Sequence, residues 1–391
     1  MPVDPVAPRL PELERLTSLT CVKWTRYDAD VIPAWVADMD LPPAPVAVEA
    51  VRALVDRGDF GYNFAAHGRL PEAFAEWEAH RHGWTPDACK VRIFCDVLQA
   101  IDVVLWLYTQ PGDGVVLFTP VYPPFFPAVE ASGRRVVDCP LDPDGWRLDP
   151  QVLQDAIDER TRAILLCNPH NPTGRVFTRD ELRAIAEFAH ERDLLVISDE
   201  IWADVVFPGA THVPFPSLGA DAAARTITVC AASKAFNLAG LRCAVAHFGS
   251  DDVLDALDAL PRHLLGGPSA PGAEATLASW TGGEAWLGET SAHLKEQRDH
   301  ATARLAAELP EVGVVTPEAT YLMWLDFRSL DLGDDPAGWL LEHARVALSP
   351  GPDFGPHGAG FARLNFATTH GILDELLDRI VDAVRSREVR G

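Results

Sequence analysis

The sequence predicts an α/β protein, with a mostly parallel central sheet in a large domain and a smaller α+β domain at the C-terminal end. Three observations carry that prediction. Short apolar, β-branched runs at 115–119, 162–167, 194–198 and 225–229 alternate with segments of helical periodicity, as strands buried under helices on both faces do. Residues able to do chemistry fall at the ends of those runs: Tyr122, Asn171, Asp199 and Lys234. In open sheets of this kind, ligands bind beyond the carboxyl ends of the strands. Past about residue 282 the alternation stops, and long helical segments with only two further strands take over.

The elements follow in order. Residues 1–45 are rich in proline and aperiodic apart from a short stretch at 10–19, so they read as an arm laid on another surface. The arm carries the apolar–acidic loop Trp35-Val-Ala-Asp-Met-Asp40 between Pro33 and Pro42. Helical spacing at 44–57 (Val48, Val51, Leu54, Val55) is closed by Gly58. Phe60-Gly-Tyr-Asn63 is a glycine-centred turn, and 70–82 is helical. A strand at 91–94 leads through Cys95-Asp-Val-Leu-Gln-Ala100 into a helix to about 109, and Pro111-Gly-Asp-Gly114 turns the chain into the strand 115–119. After the strand 162–167, Asn168-Pro-His-Asn-Pro-Thr-Gly174 makes a rigid turn, and Thr178-Arg-Asp-Glu181 is a capping box that opens a helix to about 191. The strand 194–198 ends on Asp199, the strand 225–229 precedes Lys234, and 244–248 is one more. A helix at 284–309, a strand at 321–326, a Gly/Pro loop at 349–360, a strand at 361–366 and an amphipathic helix (Ile372, Leu376, Leu377, Ile380, Val384) close the chain. The division expected is an arm with part of the small domain at 1–45, a large domain at 46–281 and a small domain at 282–391.

Composition narrows the function classes. An apolar fraction of 48% and a charged fraction of 23% over 391 residues fit a soluble globular protein. A net charge of −24 disfavours nucleic acid and anionic membrane as partners, so an anionic ligand needs a local positive pocket. The seven cysteines are scattered, without metal-like spacing, and read as reduced thiols of a cytoplasmic protein. No metal site is expected. The N-terminus has neither a basic nor an apolar leader region, and no apolar run is long enough to span a bilayer.

Lys234 is the residue the rest is organised around. It follows the buried run Thr226-Ile-Thr-Val229 and precedes Asn237 and Gly240, small residues that permit close packing. A lysine held in such a place is costly without a partner, and a desolvated amine that forms a Schiff base with a carbonyl cofactor is a use that explains it. A surface lysine after a strand is the commoner arrangement, and the neighbouring motifs decide against it.

Asn168-Pro-His-Asn-Pro-Thr-Gly174, Ser198-Asp-Glu200, Ser233-Lys-Ala-Phe-Asn-Leu-Ala-Gly-Leu241, Arg242 and Arg363-Leu-Asn365 occur in this order. The series resembles fold-type I pyridoxal-phosphate enzymes. Trp35-Val-Ala-Asp-Met-Asp40, Pro120-Val-Tyr-Pro-Pro-Phe125 and the stretch from Phe354 to Thr368 resemble the cystathionine β-lyase (C–S lyase) branch of the class I/II aminotransferase superfamily. The resemblance runs from about residue 20 to the C-terminus. It implies that Lys234 holds pyridoxal 5'-phosphate covalently and then moves the Cα proton of the substrate. By the same resemblance Asp199 pairs with the pyridine nitrogen, Asn171 donates to the phenolic oxygen, and Tyr122 stacks on the ring. The phosphate falls to Ser233, Arg242 and the amides of Val97 and Leu98 at a helix start. Arg363 binds the substrate carboxylate as a fork, helped by Asn171, and Ala37 and Asp38 line the substrate side. Tyr62 resembles the residue that reaches the phosphate from the other subunit of a homodimer.

Three places depart from the family pattern, one being the Asp96-Val97-Leu98 segment, which lacks the glycine common at that turn. Ala231 replaces a phosphate-binding Ser or Thr of many relatives. Trp202 stands near the phenolic oxygen, where relatives often place His or Tyr, and an indole donates but cannot accept. The reaction implied is α,β-elimination from cystathionine or a related cysteine S-conjugate, giving a thiol, pyruvate and ammonia. An aminotransferase, or an enzyme of secondary metabolism taking a bulkier S-conjugate, is the alternative that uses the same lysine. A regulatory protein on a degenerate scaffold would have lost Lys234, Asp199 or Arg363, and all three are present.

Overall fold

The computed structural model describes residues 13–62, 64–261 and 264–388. Its strands are β1 (Ile32–Pro33), β2 (Val91–Phe94), β3 (Gly114–Thr119), β4 (Arg135–Pro140), β5 (Thr161–Cys167), β6 (Leu195–Asp199), β7 (Thr226–Cys230), β8 (Ala244–Phe248), β9 (Gly313–Val314), β10 (Leu322–Asp326), β11 (Val346–Ala347), β12 (Ser349–Pro350) and β13 (Phe361–Asn365). Seven form the central sheet, in the order β2-β8-β7-β6-β5-β3-β4. Pairing is parallel from β4 through β3, β5 and β6 to β7, and antiparallel on both sides of β8. The α/β expectation holds, with a mixed rather than uniform sheet.

The interior strands β3, β6, β7 and β8 are buried at every position. This is why they read as unbroken apolar runs, each fully buried Val, Leu or Ile contributing about 1.5–3 kcal/mol. The edge strand β4 is absent from the sequence expectation. It alternates between buried and open positions and carries Arg135, Asp138 and Pro140, so it lacks the signature of its neighbours. The helix expected from residue 70 starts earlier, at Phe64, with Pro71 inside it. Ala66, Leu70, Phe74 and Trp77 share one buried stripe, and that burial outweighs the hydrogen bond lost at proline. The capping box of Thr178 and Glu181 forms as expected. The first twelve residues of the arm, and Asn63 of the expected turn, lie outside the described residues.

A four-stranded antiparallel sheet, β12-β13-β10-β9, forms the second layer with helices Glu284–Glu308, Pro336–Ala344 and His370–Glu388. The arm joins this part of the molecule: β1 pairs with β11, and the Ala34 carbonyl accepts from the Asn365 amide at 2.9 Å. One apolar core runs continuously beneath both sheets. All seven cysteines are free, four of them buried. Among the described residues no helix is long and apolar enough to cross a membrane.

The parallel pairing has one consequence that governs function. Cys167 is in register with Asp199, and Asp199 with Val229. The turn after β5, the end of β6 and the segment after β7 therefore open onto the same edge of the sheet.

Candidate active site

A cavity of about 520 Å³ opens at that edge, within the range of small-molecule sites. Asp199 and Lys234 lie in its floor. Asp199 is 2% exposed, and the one hydrogen bond to its carboxylate among the described residues comes from the Ile201 amide at 3.1 Å. Burial raises its carboxyl to about 7; the Ile201 amide opposes the rise, the Glu200 charge adds to it and Lys234 offsets part of it. Glu200 itself is pinned by His212 Nε2 at 2.9 Å, the Ser198 hydroxyl at 2.8 Å and the Phe215 amide at 3.0 Å. Beneath the cavity thus stands a carboxylate with too little compensation, on a rigid support.

Lys234 lies four residues past the end of β7, and its Nζ donates to the Ala37 carbonyl at 2.8 Å. Burial lowers its pKa, with the charges of Asp38 and Asp199 opposing and that of Arg363 adding to the fall. The amine sits 5.7 Å from the centre of the Trp202 ring. Trp202 in turn meets Tyr321 edge-on at 4.7 Å, and the Tyr321 hydroxyl donates to the same Ala37 carbonyl at 2.9 Å. Trp202 therefore acts as a wall beside the lysine.

Arg363 enters from β13. Its Nη1 donates to Asn171 Oδ1 at 2.9 Å, and its Nη2 to the Trp35 carbonyl at 2.7 Å and Ser349 Oγ at 3.0 Å. Its Nε is buried without a partner among the described residues. Burial brings the guanidinium down to about 10, which leaves it cationic at neutral pH. Because Asn171 Oδ1 is occupied by Arg363, the Asn171 amide nitrogen remains for another acceptor. His170 beside it is structural: buried between Thr173 Oγ1 at 2.9 Å and the Phe118 carbonyl at 3.2 Å, it is lowered to about 4 by desolvation and stays neutral.

The opposite end of the cavity suits an anion. Helix Val97–Tyr108 starts there, and its N-cap Asp96 takes the Gln99 amide at 2.7 Å. The amides of Val97 and Leu98, which no helix carbonyl can reach, are left at the cavity wall. Ser233 lines the same end, and so does Arg242, which pairs with Asp96 and is well exposed. Ala231 lines it too and offers no donor. Tyr122 lines the cavity, half-buried and edge-on to Phe125 at 5.6 Å.

Of the residues expected from sequence, Lys234, Asp199, Asn171, Tyr122, Trp202, Ser233, Arg242, Val97, Leu98, Ala37 and Arg363 meet at this one cavity. Asp38 does not line it. Its carbonyl accepts from Lys23 Nζ at 3.1 Å and Asn365 Nδ2 at 2.7 Å, and only its charge reaches Lys234. Tyr62 is 95% exposed and stands apart from the cavity within one chain.

Sequence reasoning missed the residues that hold the loop 36–41 in place. Asn237 donates to the Met39 and Leu41 carbonyls at 3.1 and 2.7 Å, and Asn365 to those of Val36 and Asp38, both at 2.7 Å. Lys23, 1% exposed, pairs with Asp40 at 2.9 Å. These partners are nearly 200 or more residues apart, except for the last pair, so no local spacing announces them. Ser349 and Arg26 at the mouth were missed for the same reason.

Residues 36–380 match the model of the family described as "Aminotransferase class I and II". The chain is 36% identical over 374 residues to "Cystathionine beta-lyase PatB" of Bacillus subtilis (strain 168), covering 93% of this chain and 96% of that protein. It is 36% identical over 381 residues to "Cystathionine beta-lyase" of Corynebacterium glutamicum, covering 96% of this chain and all of that protein. Among solved structures, cystalysin from Treponema denticola, which contains a pyridoxal 5'-phosphate cofactor, superposes with a TM-score of 0.89 at 30% identity over 95% of this chain and 97% of that one.

Proposed function

The chain belongs to the class I and II aminotransferase family, and we propose that within it the protein is a pyridoxal-phosphate-dependent C–S β-lyase acting on cystathionine or related cysteine S-conjugates. The observation that carries this reading is the convergence of Lys234, Asp199 and Arg363 on one cavity, in a chain similar over nearly its whole length to proteins named cystathionine beta-lyase.

The donors fit the cofactor. Asp199 is a buried carboxylate that lacks a cation, and a protonated ring nitrogen supplies one. The free amide nitrogen of Asn171 suits the ring oxygen, and the amides of Val97 and Leu98 with Ser233 and Arg242 suit the phosphate. When bound, the cofactor supplies an electrophilic carbonyl for amines and a ring that accepts electrons from Cα. Lys234 Nζ, its pKa lowered by burial, would hold the cofactor and is placed to take the Cα proton of the substrate. Arg363, which lines the cavity and stays cationic, would hold the α-carboxylate. Asp199 would hold the ring nitrogen in its protonated form. A thiolate leaves without strong acid assistance, so elimination needs no dedicated general acid beside Trp202. The balance is cysteine S-conjugate plus water to thiol, pyruvate and ammonia.

We also read residues 46–281 as the cofactor-binding domain, 282–391 as the small domain, and 1–45 as an arm that belongs partly to the latter. Tyr62, exposed on one chain, is assigned to the phosphate of the other subunit in a homodimer. Seven free thiols fit a cytoplasmic setting.

Reconstituted enzyme given L-cystathionine tests the function. Release of thiol and pyruvate in equal amounts supports elimination. Conversion of the cofactor to its amine form with no thiol released identifies an aminotransferase instead.

A further inference from the structure

Three guanidinium groups line the cavity in a chain of net charge −24. Arg363 is fixed by Asn171, Trp35 and Ser349, and Arg242 pairs with Asp96. Arg26 has no such anchor. Among the described residues its contacts are with ring faces, 4.8 Å from the Trp35 centroid and 5.8 Å from that of Tyr27. Tyr27 meets Trp35 edge-on at 6.1 Å, so the guanidinium rests on an aromatic platform rather than on a carboxylate. Stacking of this kind holds the group in place while leaving its in-plane N–H donors free.

The platform is tied to the substrate end of the site. The Trp35 carbonyl accepts from Arg363 Nη2 at 2.7 Å, so one residue supports both arginines. With the α-carboxylate held by Arg363, the charge at Arg26 remains for a second anionic group on the same substrate. Asp353, on the turn Gly351–Phe354, lines the same cavity and provides an acceptor for an ammonium where the substituent carries one.

We propose that Arg26, carried on Trp35 and Tyr27, selects the group on sulfur, so that the preferred substrates are cysteine S-conjugates whose S-substituent ends in a carboxylate. This rests on the lyase reading above.

The test compares holoenzyme with Arg26→Ala and Arg26→Lys on S-(2-carboxyethyl)-L-cysteine and on neutral S-propyl-L-cysteine. Binding of the inert ether analogue of the carboxyethyl substrate is followed by calorimetry. Arg26 is exposed, so loss of this solvent-screened contact predicts a KM about two- to fivefold higher for the carboxyethyl substrate in Arg26→Ala, with kcat nearly unchanged. Arg26→Lys should recover part of this, the propyl substrate should be unaffected, and the ether should bind more weakly by the same factor. Equal losses on both substrates, an unchanged ratio between them, or a change of oligomeric state in Arg26→Ala overturns the proposal. Should the wild type release thiol from neither substrate, the lyase reading fails, while the ether affinity still reports on Arg26.

Discussion

Asp199 and Lys234 stand at the ends of neighbouring parallel strands, whereas Arg26 and Ala37 reach the same cavity from one end of the chain and Ser349 and Arg363 from the other. The floor is therefore placed by the register of one sheet. Asp199 is aligned with Val229, and β7 fixes where Lys234 begins its turn. The mouth is placed by side chains that grip carbonyls across the fold: Asn237 and Asn365 on the loop 36–41, and Arg363 and Ser349 on the Trp35 carbonyl. Errors in the floor should strike the chemistry itself, and errors in the mouth should strike substrate binding and local stability.

Substitutions on the two sides can break that division. Lys234→Ala removes the base and the attachment point together, and kcat/KM should fall by at least about 10³-fold. The visible band of attached cofactor should vanish while far-ultraviolet circular dichroism stays unchanged; a surviving band would place the attachment elsewhere. Asp199→Asn keeps the shape but not the charge, and kcat should drop by about 10²-fold or more, with KM little altered. At the mouth, Arg363→Lys loses the planar fork, and KM should rise about ten- to a hundredfold with a smaller change in kcat. A fall mainly in kcat would move Arg363 to the chemical side of the division. Asn365→Ala leaves the Val36 and Asp38 carbonyls short of a donor and should lower unfolding free energy by about 1–3 kcal/mol in a denaturant titration, raising KM more than it lowers kcat.

The same contrast explains what the sequence made legible. Buried parallel strands leave continuous apolar runs, and each functional residue of the floor lies within a few positions of such a run, so Asn171, Asp199 and Lys234 could be found by reading along the chain. The amphipathic closing helix and the capping box at Thr178 are equally local signals. The edge strand β4 escaped because only two of its six positions are buried and Arg135, Asp138 and Pro140 interrupt its apolar run. Asn237 was visible only as a small residue near the lysine; its task is defined by Met39 and Leu41, nearly 200 positions away. Arg26 gave no sign at all, since its significance is the absence of a carboxylate partner among the described residues, a property of the fold and not of any motif.

The central claim is that the floor suits a cationic ring: burial makes the Asp199 charge costly in the apoprotein, and a cation bound beside it would relieve that cost. Its carboxyl stands at about 7, above its ordinary value of 3.8. The folded apoprotein therefore favours the protonated acid, and the contribution of this group to stability is fully present below about pH 4 and is lost as pH rises through 7. A cation beside the carboxylate removes that penalty. Unfolding free energies of apo- and holoprotein, measured from about pH 5 to 8 in the wild type and in Asp199→Asn, test this directly. Between pH 5 and 7 each pH step of one costs the apoprotein about 1.4 kcal/mol at this carboxyl. The gap between holo and apo forms should therefore widen with pH by about 2 kcal/mol more in the wild type than in the variant. Identical pH dependence in both proteins would contradict the assignment of Asp199 as the partner of the ring.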